Sequence, residues 1–205
     1  MTTLATTLYT RSFPRAASWL RELVLLLVGV LLLAGLAQVE IPLPFTPVPI
    51  TGQTFGVLLI AAAYGSKRGA ASMLAYIAAG ASGLPFFSGG AGGLRVLTGA
   101  TAGYLAGFVV AAYVVGLLCE RGLERSVRTS LIPFVAGTVI IYACGVAWLS
   151  LLVGGFAKAV TLGLLPFLVG DAIKLAAAAL ALPAAWRLVH PAAAAPPRSP
   201  RGYKI

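Results

Sequence analysis

The sequence predicts an all-α integral membrane protein with six transmembrane helices and both termini on the cytoplasmic side. Three observations carry this. The chain is 60% hydrophobic and 10% charged, with a mean hydropathy of +0.97, more apolar surface than a water-soluble domain of 205 residues needs. Six apolar segments follow one another, separated by short polar, glycine-rich or proline-rich stretches. The basic residues fall in clusters on alternate connections.

A helix that crosses about 30 Å of hydrocarbon takes about 20 apolar residues. The segments are residues 20–37, 51–64, 69–81, 98–119, 131–153 and 164–189; the second and third are short and read as tilted or extended into their loops. Twelve of the fifteen Lys and Arg residues form four clusters: Arg11, Arg15 and Arg21; Lys67 and Arg68; Arg121, Arg125 and Arg128; Arg187, Arg198, Arg201 and Lys204. With six spans all four lie on one side, which the positive-inside rule makes cytoplasmic. The opposite connections hold only Glu40, Arg95 and Lys158. The domain organisation is a cytoplasmic segment 1–19, a membrane domain 20–190 and a disordered cytoplasmic tail 191–205. The first apolar run, followed by Gly35, Ala37 and Gln38, also resembles a secretory signal, but it is long for a signal core and is read as a span.

Net charge is +10, yet no aromatic residues interleave with the basic clusters, so the charge is read as membrane anchoring beside lipid head groups and not as a nucleic-acid surface. Cys119 and Cys144 form no disulfide framework or metal cluster, and His190 stands alone. No nucleophile elbow, zinc motif or phosphate-binding loop is present, so the chain reads as neither an enzyme nor an ATPase, and no cofactor is expected.

The outer connections are built from backbone-shaping residues. Residues 38–50 contain four prolines and read as a stiff extended segment. Residues 82–97 are glycine-rich and offer free amide donors. Gly99, Gly103 and Gly107 on the fourth segment, and Ala71, Ala75 and Ala79 on the third, are spaced for close helix packing, within the chain or against a partner.

Asp171 and Lys174 lie inside the last apolar segment. A charge at the bilayer centre costs about 2.5–3.5 kcal/mol on insertion scales, so two of them require a reason. Their i, i+3 spacing places both on one helical face, either as a structural pair or as a polar grip for a ligand. Gln53 and Thr54 at the start of the second segment and Arg95 near the glycine-rich loop lie at the same outer depth. Phe45, Phe86, Phe87 and Tyr104 would cover the apolar body of a small ligand. A stand-alone carrier using Asp171 as its proton site fits the same residues.

Four runs resemble one family: residues 41–55 (IPLPFTPVPITGQTF), 83–90 (GLPFFSGG), 97–108 (LTGATAGYLAGF) and 166–174 (PFLVGDAIK). In this order they are similar to the BioY family, the biotin-binding subunits of energy-coupling factor (ECF) transporters. The resemblance implies the six-helix fold of an ECF substrate-binding (S) component, capturing biotin and working with a membrane T subunit and two ATPase subunits in the cell membrane. It implies that Asp171, Lys174, Tyr104 and the loop around Ser88, Gly89 and Gly90 line the site. A subunit for another vitamin would share this architecture. The fourth-segment run departs from the family pattern, reading Gly99-Ala-Thr-Ala-Gly-Tyr104 for Gly-Pro-Thr-Gly-Gly-Tyr.

Overall fold

Glycine and proline punctuate the apolar runs where the helices stop. The computed structural model describes residues 3–12 and 17–189. Its helices are α1 (Leu4–Ser12), α2 (Ser18–Gln38), α3 (Gln53–Tyr64), α4 (Ser66–Ala81), α5 (Ala102–Glu120), α6 (Val127–Val153), α7 (Phe156–Gly163) and α8 (Leu168–Val189). Two short strands, β1 (Glu40–Ile41) and β2 (Ile50–Thr51), lie between α2 and α3. The expected tail 191–205, His190 and parts of the segment 1–19 lie outside the described residues.

Four of the predicted segments appear as α2, α5, α6 and α8. Among the described residues, four stretches are long and apolar enough to cross a bilayer: Ser18–Gln38, Ala102–Glu120, Val127–Val153 and Phe156–Arg187. The two short predicted segments appear as α3 and α4, of 12 and 16 residues, roughly 18 and 24 Å long. A single residue joins them. Gly65 has φ 84°, a conformation that a side chain disfavours, and lets the chain reverse in one step. The Glu120 carboxylate at the end of α5 then caps α4, accepting from the Ser66 amide at 2.8 Å and the Ser66 hydroxyl at 2.9 Å.

Two connections differ from their sequence reading. The four-proline segment is not simply extended: its ends meet, with Glu40 opposite Thr51 and Ile41 opposite Ile50 in an antiparallel pair. Residues 156–163, read as part of a loop, form α7.

α5 lies at the centre and packs on α3, α4 and α6. α2 lies against α3 and α4, and α8 against α3 and α6. The glycine stripe serves packing within the chain. A Cβ at Gly107 would meet the backbone of Ile141 at 3.1 Å, and one at Gly103 would strike Trp148 on α6. Outward faces carry Leu27 and Leu31 on α2, Ile132 and Val139 on α6, and Ile173 and Leu180 on α8, all exposed and suited to lipid.

Pro183 sits inside α8 and has no amide proton, so the carbonyl of Ala179 loses its helical donor. Ser130, fully buried on α6, donates its hydroxyl to that carbonyl at 3.3 Å and to Val127 at 3.0 Å. Ser130→Ala is therefore expected to cost about 1–3 kcal/mol, read as a lower thermal midpoint in detergent. In a Pro183→Ala background, where the amide returns, the same substitution is expected to cost much less.

Candidate functional site

The last helix, α8, brings a carboxylate and an ammonium together near its N-terminal end. Asp171 is 4% exposed. Its Oδ1 accepts from Lys174 Nζ at 2.7 Å and from Thr54 Oγ1 at 3.3 Å, and its Oδ2 accepts from the Tyr142 hydroxyl at 2.5 Å. Lys174 Nζ also donates to the Thr51 carbonyl at 2.9 Å and to Thr54 Oγ1 at 3.1 Å. All three ammonium protons have acceptors, and both carboxylate oxygens have donors. This is the condition under which a charged pair persists away from water.

The pair stands at the base of a cavity of about 60 Å³ bounded by Thr51, Thr54, Tyr104, Tyr142 and Phe167. Gln53 lines it too, but its amide is engaged: Oε1 accepts from Thr51 Oγ1 at 3.0 Å and Nε2 donates to the Tyr76 hydroxyl at 2.8 Å. Tyr104 offers its ring, because its hydroxyl donates to the Gly163 carbonyl at 2.7 Å. The Tyr104 and Tyr142 rings meet edge to face, with centroids 6.4 Å apart.

Outside this cavity lies a wider vestibule of about 580 Å³, bounded by the proline-rich loop, Ser88 and Arg95. Pro49, Phe87, Ser88, Val96 and Thr101 line both spaces, so the two adjoin along this wall. The small inner space holds a few waters, whereas pockets for small organic ligands run to about 300–1,000 Å³. A ligand of that size at the pair needs more room than the inner space alone provides.

The structure gathers Asp171, Lys174, Gln53, Tyr104 and Ser88 around the inner cavity. Arg95 is exposed and lines the vestibule only. Gly89 and Gly90 are exposed, with φ 67° and 70°, and turn the loop beside Glu40 without lining either space. Phe45 is 59% exposed and lines neither; Phe87, 2% exposed, holds the aromatic wall position. Sequence reading missed Tyr142, Thr51 and Glu40. Tyr142 carried a signal, a hydroxyl within an apolar span. Glu40, which accepts a hydrogen bond from Ser88 Oγ, carried none beyond its charge.

The pair and its partners form one polar cluster. It offers a carboxylate acceptor, an ammonium donor and hydroxyls whose bonds a ligand can exchange, with aromatic walls above them. Removing one charge leaves the other without its counter-ion. Lys174→Met is expected to lower the thermal midpoint by the equivalent of about 3 kcal/mol. Arg95→Gln, at an exposed position, is expected to shift it by less than about 0.5 kcal/mol. Thermal unfolding of the purified variants in one detergent compares them.

The model of the BioY family matches residues 5–191. A biotin transporter BioY of Thermotoga maritima is 42% identical over 140 residues, 68% of this chain and 82% of that protein. One from Rhizobium etli is 40% identical over 170 residues, 78% of this chain and 90% of that protein. Among solved structures, the S-component for biotin from an ECF-type ABC transporter has the same fold, with a TM-score of 0.74 at 24% identity over 82% of this chain and 92% of that one. With the family model matched from residue 5 to residue 191 and with such relatives, this protein belongs to the BioY family.

Proposed function

We propose that this chain captures biotin at the outer face of the cell membrane and delivers it inward as the substrate-binding subunit of an ECF-type transporter. The observation that carries the reading is the Asp171–Lys174 pair, fully hydrogen-bonded at the base of a cavity, in a chain 42% identical to a biotin transporter. Biotin's ureido ring presents two N–H donors and one carbonyl acceptor. Asp171 accepts from such donors in place of Thr54, its longest bond, and Lys174 donates to such a carbonyl in place of a protein oxygen. Tyr104, Phe87 and Phe167 suit the ring sulfur and the alkyl chain. Arg95, which lines the vestibule, suits the carboxylate.

The partners we propose are a membrane T subunit and two cytoplasmic ATPases. The sequence has no phosphate-binding loop of its own, which agrees with energy supplied from outside the chain. The relatives' names favour biotin over another vitamin or a proton-coupled carrier. We further propose that α3 and α4 complete a six-span topology with cytoplasmic termini. The basic residues Lys67, Arg68, Arg121, Arg125 and Arg128 support it, all falling on one side of that arrangement.

A charge-assisted hydrogen bond contributes about 1.5–3 kcal/mol. Lys174→Ala and Asp171→Asn are each expected to weaken biotin binding by at least about tenfold, measured by titration of purified protein. Isotherms that match the wild type for both variants would remove the site. For topology, a cysteine replacing Leu94 is expected to react with an impermeant thiol reagent in intact cells. One replacing Arg128 is expected to react only after lysis. The reverse labelling pattern would invert the orientation.

A further inference from the structure

Tyr76 touches neither cavity, yet it lies between two things that do. Its side chain is completely buried in α4. Its hydroxyl accepts from Gln53 Nε2 at 2.8 Å and donates to the Phe86 carbonyl at 2.9 Å. Its ring meets that of Phe87 edge to face at 5.6 Å. Phe87 lines both the inner cavity and the vestibule, and its ring tip fills the notch where a side chain at Gly80 would stand.

The bonds form an unbroken chain. Lys174 holds the Thr51 carbonyl, the Thr51 hydroxyl holds Gln53, Gln53 holds Tyr76, and Tyr76 holds the backbone immediately before Phe87. The charged pair on α8 is thus tied through β2, α3 and α4 to the wall that the two spaces share.

We infer that Tyr76 is a positioning residue that holds Phe87 shut across the cavity and makes that closure depend on Gln53 and, through Thr51, on Lys174. A ligand that draws a proton of Lys174 away from Thr51 slackens the chain at its far end, so the wall moves when the base is engaged. The wall itself is a property of the protein alone; its link to ligand rests on the biotin reading above.

The test reads the wall without ligand. In a full-length chain with Cys144→Ala, a cysteine replaces Leu105, which lines the inner cavity only. Native Cys119, buried near the other end of α5, remains as an internal control. Adding Tyr76→Phe is expected to raise the rate of modification at position 105 by a water-soluble methanethiosulfonate about tenfold, the scale of a lost hydrogen bond, and to leave Cys119 unchanged. Equal rates at position 105 with and without Tyr76→Phe would overturn the inference, as would acceleration at both cysteines, which marks general loosening. If Tyr76→Phe does not fold, Phe87→Ala serves in its place. It is expected to expose position 105 in the same selective way, and an unchanged rate there would equally overturn the inference. Biotin protection of position 105 is a separate readout. Its absence with selective labelling intact would count against the biotin reading and not against the wall.

Discussion

A carboxylate held among apolar helices has to find a donor for every oxygen, and Asp171 recruits them from three helices. Lys174 comes from its own turn of α8, Tyr142 from α6 and Thr54 from α3. Lys174 in turn takes the last residue of the proline-rich loop, Thr51. In hydrocarbon an unsatisfied polar group costs several kcal/mol, so these bonds fix how α3, α6 and α8 sit relative to one another around the pair. The site and the local architecture are consequently the same set of interactions.

The rest of the bundle supplies what that arrangement needs, which is close helix approach without a hydrophobic drive. Lipid tails are as apolar as leucine, so contact area and polar satisfaction decide packing. Gly103 and Gly107 let α6 approach α5, Gly65 reverses the chain in one residue, and Ser130 repairs the carbonyl that Pro183 leaves without a donor. Each is a local answer to a backbone group or a side-chain volume that the membrane does not accommodate. The exposed leucines and isoleucines of α2, α6 and α8 are left to face lipid, where they need no partner.

The proline-rich and glycine-rich loops meet beside the charged pair for related reasons. Proline removes backbone donors, so residues 42–49 make few bonds of their own, and the loop is closed at its ends by the β1–β2 pair and by Glu40 to Ser88. The glycine-rich loop is drawn in by Tyr76 and by Gln38, whose Nε2 donates to the Phe87 carbonyl at 3.2 Å. Beneath the loops lie two adjoining spaces, an inner one at the charged pair and a vestibule at Arg95.

The amino-acid order by itself determined the membrane class, the long helices α2, α5, α6 and α8, and Asp171 with Lys174 as the residues requiring explanation. Apolar runs and stranded charges are one-dimensional signals, because the bilayer imposes the same cost wherever the chain folds. Gln53 was legible from its position at the start of a span. What only the tertiary structure decided was which neutral groups meet that pair. Tyr142, Thr51 and Tyr76 are ordinary residues until three helices converge on them. It also decided that Phe87 and not Phe45 forms the wall, and that Arg95 stands in the vestibule and not at the base. A hydroxyl or an aromatic ring costs little in many places, so its role is set by the neighbour it meets across the fold, and sequence spacing alone does not encode that neighbour.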